Sequence, residues 1–331
     1  MKAFITGATG GLGRNLCQRL AQNSIAATGM GRNVRAGAWL EALGVRFMCL
    51  DLADPDAMAE AMRGHDVVFH CAALSSPWGS PKAFETANVT GTAHVLAAAR
   101  RAGVRRVVVV STPSIYFDFR HGRQIREDAG LPARPVNAYA ASKRKAETLA
   151  REAAAQGQDC VILRPRGILG PWDQALAPRL ARIARRGVVP LPGGGTALVD
   201  VSCVENVVDA LLAAALAPSS VSGKAYNISN GAPVTVAALI QDALTAMGLT
   251  ARLRPVPLAP ALALARGLEA VARLTGGWEP PVTAYSLALL AYDQTLDIGA
   301  ARRDLGWSPH QSLAEGLDSL GRWWKDDHGS D

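Results

Sequence analysis

The sequence predicts an α/β fold, a doubly wound parallel sheet with a smaller C-terminal lobe. Three observations carry this. Short apolar runs ("KAFIT", "VRFMCLDL", "DVVFHCAAL", "VRRVVVVST", "DCVILRP") alternate with stretches of helical composition. Continuous apolar strands separated by helices mean a parallel sheet covered on both faces, and right-handed crossovers make it doubly wound. A glycine-rich turn follows the first run, and 331 residues exceed one small core.

The first element is a strand that runs into "TGATGGLG" and then a helix. Gly7 allows the tight turn, Gly10 removes a side chain where backbone would approach a pyrophosphate, and Gly13 lets the helix pack close to the sheet. The loop residues Thr9, Gly10, Gly11 and Leu12 then present the helix N-terminus, with free N–H groups and a positive dipole, to phosphate. In this strand–turn–helix context the motif predicts a dinucleotide-binding (Rossmann) domain. The second strand, "SIAATGMG", ends near Met30. An NAD site usually places a carboxylate there; here Gly31 and Arg32 follow, and a guanidinium suits a 2′-phosphate. NADP(H) is therefore favoured over NAD(H), with Arg32 stacking on adenine or facing solvent as the alternative.

The third strand, "VRFMCLDL", runs to Asp51, and Asp54 caps the helix that Gly64 ends. The next strand leads into Ala72, Ala73 and Leu74, and "NVTGTAHVLAAARRAG" follows as a helix. The "VRRVVVVST" strand delivers Ser111, Thr112 and Ser114. In the long helix "AYAASKRKAETLAREAAAQG", Tyr139 and Lys143 stand four apart on one face. In such sheets ligands bind beyond the carboxyl ends of the strands, where most of these residues fall.

After Pro165 the pattern turns rich in Gly and Pro, around one basic helix. The expected division is 1–165 as the dinucleotide domain with 197–229 returning to it, and 166–196 with 230–331 as a smaller lobe over the cofactor mouth.

Hydrophobic residues at 49% and charged residues at 19% exclude a disordered chain. The net charge of +7 is spread out. Its densest clusters, Arg100, Arg101, Arg105 and Arg106, and Arg182, Arg185 and Arg186, read as solvated helix ends rather than a nucleic-acid face. The five cysteines, Cys17, Cys49, Cys71, Cys160 and Cys203, lack metal-site spacing and sit in apolar stretches. Buried free thiols in a reducing cytoplasm are expected, with no metal. "MKAFITG" lacks the apolar region of an export signal, and no apolar run reaches spanning length.

Together, "TGATGGLG", "DL" at Asp51, "HCAAL", "NVTGT" at Asn88, "ST" at Ser111, "YAASK" at Tyr139 and "LRPRGILGP" at Leu163 resemble the extended short-chain dehydrogenase/reductase superfamily over nearly the whole chain. The resemblance implies Tyr139 as general acid/base, Lys143 as its partner and a holder of the nicotinamide ribose, and Thr112 as the hydroxyl orienting the substrate oxygen, with Ser111 or Ser114 as substitutes. A phenol has a pKa of about 10, and a neighbouring ammonium would lower it. The resemblance also implies that Asp51 and Leu52 contact adenine, that Ala72, Ala73 and Leu74 line the cofactor groove, and that backbone around Pro165, Gly167 and Ile168 sets the nicotinamide face. Asn88 would brace the strand ends, or else be a helix N-cap. His70 reads as structural.

Two branches compete. Sugar-nucleotide epimerases and dehydratases usually carry an arginine where Val199 stands. "VDVSCVENVVDA" looks instead like the 3β-hydroxysteroid and sterol dehydrogenase branch. That implies a secondary alcohol and ketone pair on a bulky, largely apolar substrate, steroid-like or a 3-oxo/3-hydroxy acyl chain. The resemblance further implies a homodimer through the helices near Thr92 and Tyr139. Leu258–Gly276 is amphipathic, with Leu264, Leu268, Val271 and Leu274 on one face, and reads as a lid or as a peripheral membrane contact. Trp172 is a candidate substrate contact beside Ser114. Trp278, Trp307, Trp323 and Trp324 read as core or rim.

Overall fold

The computed structural model describes residues 1–275 and 278–328. Seven strands form one sheet: β1 (Ala3–Thr6), β2 (Ala27–Gly31), β3 (Arg46–Cys49), β4 (Val67–His70), β5 (Arg106–Val110), β6 (Asp159–Pro165) and β7 (Ala225–Ile228). The order is β7-β6-β5-β4-β1-β2-β3, with every neighbouring pair parallel. The winding direction reverses between β1 and β4, which opens a crevice at their carboxyl ends.

The continuous apolar runs exist because both faces are covered. Ile5, Phe69, Val108, Val161 and Leu163 pack against Leu16, Leu20, Val207 and Leu211. Their strand neighbours Phe4, Val68, Val107, Val109 and Ile162 turn the other way, onto Met58, Met62, Val95 and Leu96. This is the two-residue alternation of a strand, used twice. The edge strand β3 is only partly covered and stops at Cys49, two residues short of the expected end. Asp51 turns back instead, accepting the Ala53 N–H at 2.9 Å. Asp54 caps the Pro55–Met62 helix through the Ala57 N–H, as its position predicts.

Two expectations need correction. Cys49 is exposed at the sheet edge and Cys71 only half-buried, whereas Cys17, Cys160 and Cys203 are buried; all are free thiols. Arg106 is not a solvated basic residue. It lies buried at the start of β5, where it pairs with Asp159 at 2.6 Å and donates to the Ala214 and Ala217 carbonyls. It thereby satisfies the C-terminal carbonyls of the Val204–Leu216 helix.

A separate four-stranded sheet has the order Val234–Thr235, Leu198–Val199, Gln294–Leu296, Gly122–Ile125, and so joins strands from both parts of the expected division. Val188–Pro192 pairs with Arg252–Val256 beside it. Between these, the Val204–Leu216 helix returns to the main sheet, where Arg19 bonds Glu205 and Asp209. Trp307 is buried in the main core and donates to the Asn206 carbonyl at 3.0 Å, and Trp324 is buried with Leu317 and Leu320. Among the described residues, no helix is long and apolar enough to cross a membrane.

Candidate active site

The crevice floor is the glycine loop. Gly7 has φ +69°, and a Cβ there would meet Ala72 backbone at 2.7 Å, so the first turn and the end of β4 touch. A Cβ on Gly13 would come within 2.2 Å of the Gly7 carbonyl. Gly10 differs: its Cβ would meet only the Gly7 oxygen, at 3.4 Å. Protein packing does not demand a glycine there, whereas close approach of a ligand would. The helix Gly11–Gln22 begins with no side-chain cap, and its first backbone bond runs from the Arg14 N–H to the Gly10 carbonyl. The N–H groups of Gly11, Leu12 and Gly13 precede it, which is what a pyrophosphate needs. Gly11 has a second reason to be small, since a Cβ would lie 2.6 Å from the Trp172 carbonyl.

Asn88 ties the crevice wall. It sits inside the Glu85–Thr90 turn of π-helix, not at a helix start, so the N-cap alternative is excluded. Its Oδ1 accepts from the Leu74 N–H at 2.7 Å, while its Nδ2 donates to the Leu74 carbonyl and to Ser142 Oγ. The Ala72–Leu74 segment is thus held open beside the loop, its backbone bonded at Ala72 by Thr6. His70 acquires two partners, Thr6 at 2.8 Å and Thr92 at 2.9 Å. Burial pushes its imidazole down to about 3, so it is a neutral structural bridge.

Tyr139 and Lys143 lie on the Ala138–Ala155 helix, which Asn137 caps through the Ala140 N–H at 2.8 Å. Burial pushes the Tyr139 phenol up, and hydrogen bonds with Ser75 and Thr112 pull back part of that rise. Sequence reasoning expected the Lys143 ammonium to lower the phenol. Here the ammonium donates to the Val110 carbonyl at 2.6 Å, and burial governs Tyr139 instead. Burial also lowers Lys143 itself, to about 8, with Glu147 opposing.

The hydroxyls after β5 sort themselves. Ser111 Oγ donates to Glu147 at 2.6 Å, and Glu147 is held by Arg164 at 2.6 Å, both nearly fully buried. Ser111 is therefore spent on structure. Thr112 donates to Ser114 Oγ at 3.0 Å, and its hydroxyl is near enough to Tyr139 to offset part of the phenol's upward shift. Ser114 in turn meets the Tyr285 hydroxyl at 2.7 Å.

Tyr285 and Arg166 complete the wall, and sequence reasoning named neither. Arg166 follows the last residue of β6. Its N–H is held by the Ile228 carbonyl and Ser202 Oγ, and its carbonyl accepts from Ser202 at 2.8 Å. Its side chain feels Tyr285 and Asp200. Two residues on, Ile168–Leu169 pairs with Ser202–Cys203, and Gly167 turns between with φ +49°. Tyr285 rides on the Ala284–Leu289 helix, covered by Leu258–Thr275.

That covering helix uses an unexpected face. Leu262 and Ala265 are buried against Phe117, Ala284 and Ala288, and Ala272 is buried too, whereas Leu264, Val271 and Leu274 point outward. Gly276, the end of the expected segment, lies outside the described residues.

Three further candidates have these neighbours. Trp172 packs on Trp39 with ring centroids 4.7 Å apart, and Arg14 stacks over both rings. It covers the glycine-loop helix. Arg32 is exposed at the end of β2, 3.6 Å from Asp51, and Thr9 packs under Gly31. Leu52 fills the space beside Gly91.

Residues 3–229 match the NAD dependent epimerase/dehydratase family. The chain is 37% identical over 332 residues to a 2-alkyl-3-oxoalkanoate reductase of Shewanella oneidensis, covering 96% of this chain and 85% of that one. It is 31% identical over 302 residues to the 3beta-hydroxysteroid-dehydrogenase/decarboxylase isoform 1 of Arabidopsis thaliana, covering 87% and 67%. Among solved structures, MoeE5 in complex with UDP-glucose and NAD aligns over 99% of both chains with a TM-score of 0.77 at 26% identity. The parallel sheet, the glycine loop at its switch point and these matches together make the chain an enzyme of the NAD-dependent epimerase/dehydratase family, in the sterol dehydrogenase-like branch of the extended short-chain dehydrogenases/reductases.

Proposed function

We propose that this enzyme interconverts a secondary alcohol and a ketone on a bulky, largely apolar substrate, steroid-like or a 3-oxo/3-hydroxy acyl chain. Thr112, Tyr139 and Lys143 are its catalytic set, and NADP(H) is favoured over NAD(H). The observation that carries this is the placement of Tyr139 and the buried Lys143 four residues apart on the capped Ala138–Ala155 helix, facing the end of β5 where Lys143 donates to the Val110 carbonyl at 2.6 Å and Thr112 follows. The relatives named for 3-oxoalkanoate and steroid substrates support it.

The loop fits the cofactor, since only Gly10 faces space that protein does not fill. The N–H groups of Gly11, Leu12 and Gly13 would hold the pyrophosphate, Asp51 and Leu52 the adenine, Arg32 a 2′-phosphate, and Lys143 the nicotinamide ribose. Bound NAD(P)H supplies the hydride to the carbonyl carbon. Thr112 and Tyr139 hold the carbonyl oxygen between two hydroxyls. The raised phenol stays protonated at rest, so Tyr139 Oη gives its proton to that oxygen as charge develops. The Lys143 ammonium then compensates the phenolate. Burial keeps water from competing for the proton. The alcohol is oxidised by the same groups in reverse.

An epimerase or dehydratase of sugar nucleotides is disfavoured. Val199 lies buried in an apolar cluster with Leu191 and Val236, so no guanidinium meets a diphosphate there. The chain is further proposed to form a homodimer through the Gly91–Arg101 and Ala138–Ala155 helices. The outward face of Leu258–Thr275 is proposed to touch a membrane surface.

The test is Tyr139→Phe. Turnover should fall ~100- to 10,000-fold with cofactor affinity nearly unchanged; unchanged turnover sinks the mechanism. Freshly purified wild type should release no stoichiometric NAD+ on denaturation, whereas one equivalent would favour the epimerase reading.

A further inference from the structure

The hydroxyls that would hold the substrate oxygen are out of its reach. Thr112 is 7% exposed, Ser114 6% and Tyr285 8%. A bulky ketone cannot touch Thr112 until part of this wall moves. The contacts around the site show which part.

They form a closed circuit. Tyr139 faces Phe84, with ring centroids 6.1 Å apart. Phe84 ends a short helix capped by Ser80, two residues past Trp78. The Arg273 guanidinium stacks over Trp78, 5.4 Å from the ring centroid. Arg273 also pairs with Glu269 at 3.4 Å, and Glu269 accepts the Ala284 N–H at 2.8 Å. Beside Ala284, Tyr285 bonds Ser114 at 2.7 Å, and Ser114 accepts from Thr112. The covering helix Leu258–Thr275 thus spans from the turn after β5 to the loop of residues 75–80 that follows the cofactor groove.

Its two ends are held unequally. Toward Phe117, Leu262 and Ala265 are buried with Ala284, Tyr285 and Ala288, and Arg266 stacks over Phe119 at 5.8 Å. Toward the groove, among the described residues, the Arg273–Trp78 stacking is the one hydrogen bond, ion pair or ring contact between the helix and residues 75–80. The Arg273 side chain is 67% exposed, and stacking in water is weak. An element anchored in a buried cluster at one end and by one exposed contact at the other opens at the exposed end.

We propose that Arg273 and Trp78 are the gate of the active site: their contact latches the covering helix to the groove loop, and a bulky apolar substrate enters where it parts. This rests on the alcohol–ketone reading, which puts the substrate oxygen at Thr112, and adds the residues that admit the substrate. Glu269 couples gate to site. One of its oxygens holds Arg273 and the other holds the start of the Tyr285 helix, so parting the latch frees the helix that closes over Ser114.

The test measures access to the closed wall. Full-length protein carrying Ser114→Cys is treated with N-(1-pyrenyl)maleimide, a bulky apolar thiol reagent, and each cysteine is followed by mass spectrometry. Thr112→Cys supplies a second thiol in the same wall should Ser114→Cys fail to fold. Cys49, exposed at the sheet edge, is the internal reference. With the gate intact, the introduced thiol should react ~10-fold or more slowly than Cys49. Arg273→Gln and Trp78→Leu should each raise its rate ~2- to 5-fold with the Cys49 rate constant, and Arg273→Lys should raise it less because an ammonium still stacks. Leu274→Gln, on the same helix but 87% exposed, should leave the rate unchanged.

An introduced thiol that reacts as fast as Cys49 overturns the proposal, because the site is then already open. So do Arg273→Gln and Trp78→Leu variants with unchanged rates. Equal acceleration by Leu274→Gln also overturns it, since that would be general loosening of the helix. Failure of the underlying reading looks different: Tyr139→Phe would leave ketone reduction unchanged, whatever the alkylation rates.

Discussion

Ser114 and Tyr285 share a hydrogen bond of 2.7 Å across 171 residues of chain. The first stands on the turn after β5 and the second on the Ala284–Leu289 helix. This bond ties that helix to the turn that carries Thr112, the hydroxyl proposed to orient the substrate oxygen. Ser114 also receives a bond from Thr112, so losing Tyr285's hydroxyl leaves it one partner. Tyr285→Phe should therefore cost about 1 kcal/mol, roughly five-fold in kcat/KM, with the fold intact. Steady-state kinetics on a ketone substrate checks this, and an unchanged value would remove Tyr285 from the site wall.

Lys143 sets a pH limit. Burial lowers it from 10.5 to about 8, so its ammonium is lost as pH rises through about 8 in the free enzyme. In the direction of reduction, kcat/KM should then fall above that pH, because it reports groups of the free enzyme. Lys143→Arg keeps a charge at all pH values and should abolish this limb at lower overall activity. Stability follows the same shift with the opposite sign. Between about 8 and 10.5 the unfolded chain holds a proton that the folded one does not, so this group makes stability rise with pH in that window. Lys143→Met should lose the rise in urea titrations.

Glu147 and Arg164 are each nearly fully buried, and their charges are matched at 2.6 Å. Burial pushes Glu147 up, but Arg164, Ser111 and Arg151 together outweigh it and hold the carboxyl below 4.5. Its stabilisation is complete above that unfolded value and is lost as pH falls through the folded one. Arg164→Met would strand the carboxylate and should destabilise by about 3–5 kcal/mol, measured by urea unfolding. Activity should fall too, because Glu147 accepts from Ser111, the neighbour of Thr112. A destabilisation below 1 kcal/mol would contradict the role of the pair.

The sheet, the glycine loop and the Tyr139–Lys143 face were legible because each rests on local spacing. Phe4 and Ile5 bury opposite faces of one strand, so the whole run is apolar and readable. Asn88 was legible only through resemblance, since its partners Leu74 and Ser142 are distant in sequence. Arg166 and Tyr285 were missed for the same reason. Nothing near either residue marks it, and only tertiary packing brings Tyr285 to Ser114. Trp172 was named for its neighbour "LGP", and its contacts with Gly11, Trp39 and Arg14 come from tertiary packing that the sequence does not show. The signal that could have found Arg166 is its charge directly after a buried strand, at an end where ligands bind.

Arg32 stands with 83% of its side chain exposed beside Asp51. No carboxylate follows β2 to accept the ribose hydroxyls, and Asp51 is the nearest acid. If a 2′-phosphate is the natural partner, Arg32→Ala should raise the Kd for NADPH ~10- to 100-fold and leave NADH within two-fold. Fluorescence titration of both cofactors decides it. Equal loss for both would reassign Arg32 to adenine stacking.

Leu264, Val271 and Leu274 are 63%, 49% and 87% exposed on the helix that covers the site. The opposite face, with Leu262 and Ala265, performs the covering. Two leucines and a valine left exposed on one face gain nothing from that arrangement in water alone. Seated in a bilayer interface, each leucine or valine would recover up to about 1.5–3 kcal/mol, and the net charge of +7 would favour anionic headgroups. Wild type should therefore sediment with vesicles containing phosphatidylserine. Leu264→Glu with Val271→Glu should stay in the supernatant, with unchanged thermal stability and unchanged turnover of a soluble ketone, because neither side chain touches the site. Wild type that remains in the supernatant at every phosphatidylserine content would show that this face meets something other than lipid.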